Sequence, residues 1–96
     1  MTHRTHILAL AAAAVMAAST AQAACYADYK AKRDNPLRLH YGVMEISDPC
    51  TRQSARAQIA DRLGATNWTL LTVLGTFGDE GLQERKASAG KFFLRY

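Results

Sequence analysis

The sequence predicts an α+β fold: a small antiparallel sheet of three or four strands, one main helix packed on one face, and a single disulfide. Three observations lead there. Residues 37–46 and 91–96 alternate with the period of two that a strand requires. Ala55, Ile59 and Leu63 recur every fourth residue, the spacing of a buried helical stripe. Cys25 and Cys50 are the two cysteines of the chain, and a pair in an exported protein defaults to one bridge.

The first 23 residues read as a secretory leader. Arg4 is basic, residues 7–18 are an unbroken apolar run of 12, and Ser19–Thr20–Ala21–Gln22–Ala23 is small and polar. Cleavage is expected between Ala23 and Ala24. At about 1.5 Å per residue the run falls well short of roughly 30 Å of hydrocarbon, so no transmembrane span is expected in the mature form. A lipidated Cys25 is the lesser alternative, because Gln22 stands where a lipoprotein signal resembles Leu-Ala-Gly-Cys. The Ala-rich core is of bacterial type and points to a periplasmic or secreted product.

The remaining 73 residues carry 11 basic and 8 acidic side chains, net +3. That is room for one domain, 24–96, and too little for a barrel enzyme, a dinucleotide-binding fold with its substrate domain, or a repeat array. The charge is modest for a nucleic-acid binder, so no nucleic acid is expected as a partner.

Residues 26–33 suit a strand or a helix. A strand is the expectation, since it sets Cys25, Ala27, Tyr29 and Ala31 inward, on the face that the Cys50 helix must cover. Asp34–Asn35–Pro36 then turns into a second strand over 37–46, with Leu37, Leu39, Tyr41 and Val43 toward the helix and Arg38, His40, Gly42 and Met44 away from it. Asp48 is the expected N-cap, Pro49 the first helical residue and Gly64 the left-handed stop. Residues 68–77 have apolar residues and Thr on both faces, as in mid-sheet. Residues 79–88 form a short helix or loop, and Lys91–Tyr96 alternates as a last strand.

A bridge between Cys25 and Cys50 closes a loop of about 25 residues, which stabilises by roughly 3–4 kcal/mol in the chain-entropy account. The rival reading is thiol-redox chemistry, with Cys50 near a helix start that would lower its pKa; the spacing is not Cys-x-x-Cys.

The helix ending near Gly64, Asn67–Trp68–Thr69–Leu70–Leu71–Thr72–Val73 and the closing Phe92–Phe93–Leu94–Arg95–Tyr96 together resemble small bacterial domains of unknown function. Those domains run helix, Gly-Trp-x-Leu strand, aromatic-Leu-Arg strand. The likeness covers about half of residues 24–96, with Asn67 where the pattern has Gly. It implies an α+β fold and carries no catalytic residues.

Patterns for chemistry are sparse. His40 is the one histidine after the leader, too few for a catalytic set or, with two bridged cysteines, for a metal site. Residues 75–81 lack the Gly-Lys-Ser/Thr ending of a phosphate loop, and Asp79 and Glu80 are too few for calcium. Asn67–Trp68–Thr69 fits a glycosylation acceptor by chance. No cofactor is expected. Strand alternation gathers Lys30, Lys32, Arg38, His40, Lys91 and Arg95 on the sheet face away from the helix, beside Tyr26 and Phe93 and with Asp28 on the same face. Such a face suits an anionic envelope component or an acidic protein patch; it also suits plain solvation. The expected function is a non-catalytic, exported interaction or structural domain, with envelope thiol-redox or stress-linked chemistry at Cys25 and Cys50 as the alternative.

Overall fold

Residues 23–96 are described by the computed structural model, so the leader expected over 1–23 lies outside the described residues except for Ala23. The chain runs out along β1 (Cys25–Arg33) and back along β2 (Arg38–Ile46) as an antiparallel hairpin. Residues 26–33 therefore take the strand and not the helix. Asn35 turns the chain at φ 62, a left-handed backbone that Asn tolerates better than most residues.

The register sets Tyr29 opposite Gly42 and Ala31 opposite His40, so odd residues of β1 share a face with even residues of β2. Cys25, Ala27, Tyr29 and Ala31 face inward as expected. The facing of β2 is the reverse of expectation. His40, Met44 and Ile46 are buried on the inner side, while Leu37 and Leu39 are 64% and 66% exposed. A slip of one residue flips every side chain of a strand, so the register must be pinned strongly. The Tyr29 ring pins it: it lies across Gly42, where any Cβ would overlap the Tyr29 hydroxyl.

The helix α1 (Arg52–Gly64) follows and buries Ala55, Ile59 and Leu63, the stripe read from the sequence. Its caps differ from expectation. Thr51 is the N-cap, its hydroxyl accepting from the Ser54 N–H at 3.1 Å, and Pro49 lies ahead of the helix. At the other end Gly64 is still helical, and Asn67 supplies the positive φ of 64°. The Trp68 N–H donates back to the Leu63 carbonyl at 3.1 Å, which fixes where the indole enters the core.

β3 (Thr69–Phe77) pairs antiparallel with β1, giving the order β2-β1-β3. The charged β1 is central, and β3 is an edge, not the mid-sheet strand its composition suggests. Register shifts beside Tyr29 and Ala31 leave Leu74 and Leu71 without direct partners on β1, and they are 41% and 51% exposed. Bulges of this kind twist an edge and blunt its capacity to pair further.

The core lies between the sheet and α1: Cys25, Ala27, Tyr29, Ala31, Met44, Ile46, Ala55, Ile59, Leu63, Trp68 and Val73. A 3-10 turn at Asp79–Gly81 leads into α2 (Leu82–Ala89), which caps one end of the opposite face over Tyr26, Val43 and Phe77. Lys91–Tyr96 is not a strand. Gly90–Phe92 is a 3-10 turn, and only Phe93 bridges to β2, parallel to Val43. Gly90 (φ 55) and Leu94 (φ 54) bend the chain through left-handed conformations that stop a ladder from extending. Cys25 and Cys50 are bridged, with Cα atoms 5.9 Å apart. The fold is α+β, one three-stranded antiparallel sheet with packed helices and one disulfide.

Candidate functional site: a basic aromatic cleft

Arg33 closes β1 and Arg38 opens β2, directly opposite each other. Both have the parity of the inner face and sit where the core ends, so their stems pass over apolar surface and their charges emerge at its rim. The C-terminal segment brings Lys91, Phe92, Arg95 and Tyr96 to the same rim, and Trp68 arrives from the α1–β3 connection. These residues enclose a cleft of about 410 Å³, within the usual size of small-ligand sites.

The aromatic floor is ordered by contacts around His40. Its ring stacks on Phe92 at 3.7 Å and 10°, and meets Trp68 edge-on at 4.3 Å. Phe92 continues to Tyr96 with centroids 6.3 Å apart. Arg33 lies over the indole with its guanidinium carbon 4.1 Å from the centroid, and its Nη2 donates to the Thr66 carbonyl at 2.6 Å. Fixed in this way, Arg33 is a cation of the cleft wall and not a mobile surface charge.

The charged side chains that line the cleft are all cationic. Among the described residues, the ion pairs are Lys32–Asp34, Arg85–Asp28 and Arg85–Glu84; none involves Arg33, Arg38, Lys91 or Arg95. The field is registered by His40, only 8% exposed. Burial, then Arg33, then Lys91 lower its pKa from 6.5 to about 4. His40 Nε2 lies 3.0 Å from the Tyr29 hydroxyl, while Nδ1 is buried without a hydrogen-bond partner. Burial also pushes the Tyr29 phenol up.

The structure divides the basic set read from the sequence. Arg38, Lys91 and Arg95 meet at the cleft. His40 lies beneath it, on the α1 side and not on the opposite face. Lys30 and Lys32 do project from the face away from α1, far from the other three in facing, and Lys32 is 3.3 Å from Asp34. Tyr26 and Phe93 are covered with α2 and are not surface aromatics. Asp28 is buried, accepting from Tyr41 at 2.9 Å and Arg85 at 3.1 Å, so its charge is spent internally. Burial and that bond to Asp28 push the Tyr41 phenol up to about 12.

Sequence reasoning missed Arg33, Trp68, Phe92 and Tyr96. A signal for Arg33 was present: it lies two residues beyond Ala31 in the inward series 25, 27, 29, 31. No comparable signal exists for Phe92, whose position depends on the left-handed turn at Gly90.

A larger depression, about 570 Å³, lies at the disulfide end among Glu45, Asp48 and Arg62. Its charges are mixed, and Arg62 already donates to the Glu45 carbonyl at 2.6 Å, which makes it the weaker candidate. Among the described residues no cluster of three or more His, Cys, Asp or Glu is arranged to hold a metal, and no helix is long and apolar enough to cross a membrane. Comparison of the chain with known protein families, with curated proteins and with solved structures finds no match.

Proposed function

We propose that this chain is an exported, disulfide-stapled, non-catalytic interaction domain that binds an anionic partner in the cleft between β1, β2 and the C-terminal segment. The observation that carries the reading is the convergence of Arg33, Arg38, Lys91 and Arg95 around Trp68, Phe92 and Tyr96 with no carboxylate paired to any of the four among the described residues. Guanidinium groups present forked donors that match carboxylate, sulfate and phosphate, and aromatic walls lower the local dielectric and strengthen each such bond. The leader-like first 23 residues and the bridge support an oxidising, exported destination.

The test is binding to immobilised dextran sulfate as a polyanion probe, in rising salt. Arg38→Glu with Arg95→Glu should abolish retention, and Lys30→Glu with Lys32→Glu should leave it within about twofold, with Tm changed little in either pair because all four positions are half-exposed or exposed. Equal losses in both pairs, or no retention of the wild type, would overturn the cleft as the binding site.

The redox alternative is favoured by one feature: Cys50 is exposed and immediately precedes the N-cap Thr51 of α1. Against it, Cys25 is 6% exposed within the core cluster. A reduction potential below about −300 mV marks the bond as structural, and a much higher one favours cycling.

A further inference from the structure

We propose that His40 is an acid-sensitive latch on this cleft: protonation of its imidazole releases the C-terminal segment from β2 and so dismantles one wall. The inference rests on the cleft being the binding site and names how that site is regulated.

The geometry gives the latch its parts. The C-terminal segment holds to β2 through the Phe93–Val43 bridge and the Leu94 N–H, which donates to the Val43 carbonyl at 2.9 Å. Its other anchor is the Phe92 ring, lying flat on the His40 imidazole at 3.7 Å. A neutral imidazole suits that contact. A charged one has N–H donors on both nitrogens, and Nδ1 sits where no acceptor reaches it. An unmet buried donor is costly, and more so when it carries charge.

The charged groups acting on the ring are both cations, Arg33 from β1 and Lys91 from the 3-10 turn. Arg38 stands two residues along the same face of β2, and the phenols of Tyr29 and Tyr96 face the ring from β1 and from the C-terminal segment. Of this set only the Tyr29 hydroxyl can accept from the imidazolium, at Nε2; Arg33, Lys91 and Arg38 repel it, and Nδ1–H is left without an acceptor. The least costly way to hydrate the imidazolium is to lift Phe92 away, because Tyr29, Ala31 and Trp68 are buried members of the main core, whereas Phe92 and Tyr96 pack against it only part-buried.

The sign follows from the folded and freed values. Closed, His40 titrates at about 4; freed to water, it returns toward 6.5. Protons therefore favour the open form, by about 30-fold between pH 7.5 and pH 5. Above pH 6.5 the closed form keeps its full advantage.

The test is hydrogen exchange at the Leu94 amide of the oxidised protein, corrected for the intrinsic pH dependence of exchange. Protection should fall about 30-fold between pH 7.5 and pH 5, and in His40→Phe, which keeps a ring against Phe92 but cannot be protonated, it should stay level. Unchanged Leu94 protection in the wild type overturns the latch, as does a parallel fall in His40→Phe. The wild-type measurement stands alone should that variant not fold. Dextran sulfate binding at pH 7.5 separates the two claims: no binding there sinks the cleft reading, while Leu94 protection still decides the latch.

Discussion

Tyr29 shows most plainly how one residue sets the rest. Its ring is fully buried, its hydroxyl meets His40, and its bulk forbids a side chain at position 42. Gly42→Ala should therefore cost about 1–3 kcal/mol by urea denaturation, because the ring must move and its hydrogen bond with it. A loss under a few tenths would show that the ring has room. Asp28 is the second such residue: Asp28→Asn, which weakens both the Arg85 pair and the Tyr41 bond, should cost about 2 kcal/mol. His40 adds a pH-dependent contribution to global stability. Its folded pKa is depressed from 6.5 to about 4, so the contribution is intact above pH 6.5 and is lost as pH falls toward 4. Between pH 7 and pH 5 the wild type should lose about 2 kcal/mol that His40→Gln does not lose. Identical pH slopes for the two proteins would contradict the assignment.

At the level of elements, legibility tracked periodicity. The α1 stripe Ala55, Ile59, Leu63 and the inward series of β1 were readable because each is a local repeat on one element. The facing of β2 was not, since Leu37 and Leu39 carry the apolar signal while the register belongs to the hairpin as a whole. Lys91–Tyr96 alternates like a strand, yet Gly90 and Leu94 in left-handed conformations limit it to one bridge; alternation cannot reveal that. The same holds for caps. Asp48 and Pro49 looked like a helix start, whereas Thr51 makes the capping bond to Ser54. Thr51→Ala should cost about 1 kcal/mol in thermal unfolding, and Asp48→Ala much less. The reverse order would restore the sequence-based boundary.

For the whole molecule, the disulfide and the cleft occupy opposite ends of the sheet. The bridge ties the first residue of the central strand to the approach of α1 and leaves the cleft at the far end of β1 to be held by packing and hydrogen bonds, without a covalent tie. Reduction, or the double replacement of Cys25 and Cys50 by Ser, should lower stability by roughly 3–4 kcal/mol. In conditions where the reduced chain stays folded, polyanion binding should be unchanged. Binding lost on reduction of a still-folded chain would instead tie function to the thiols.

The basic residues of the sequence were visible from the start; their division into two groups required the register and the C-terminal turn. The most direct measurement of that division is amide chemical-shift mapping as dextran sulfate is titrated into the protein at pH 7.5. Shifts clustered at Arg33, Arg38, Trp68 and residues 91–96, with Lys30 and Lys32 unmoved, are what a single anion-binding cleft requires. Shifts centred on Lys30 and Lys32, or spread evenly over every basic residue, would contradict it.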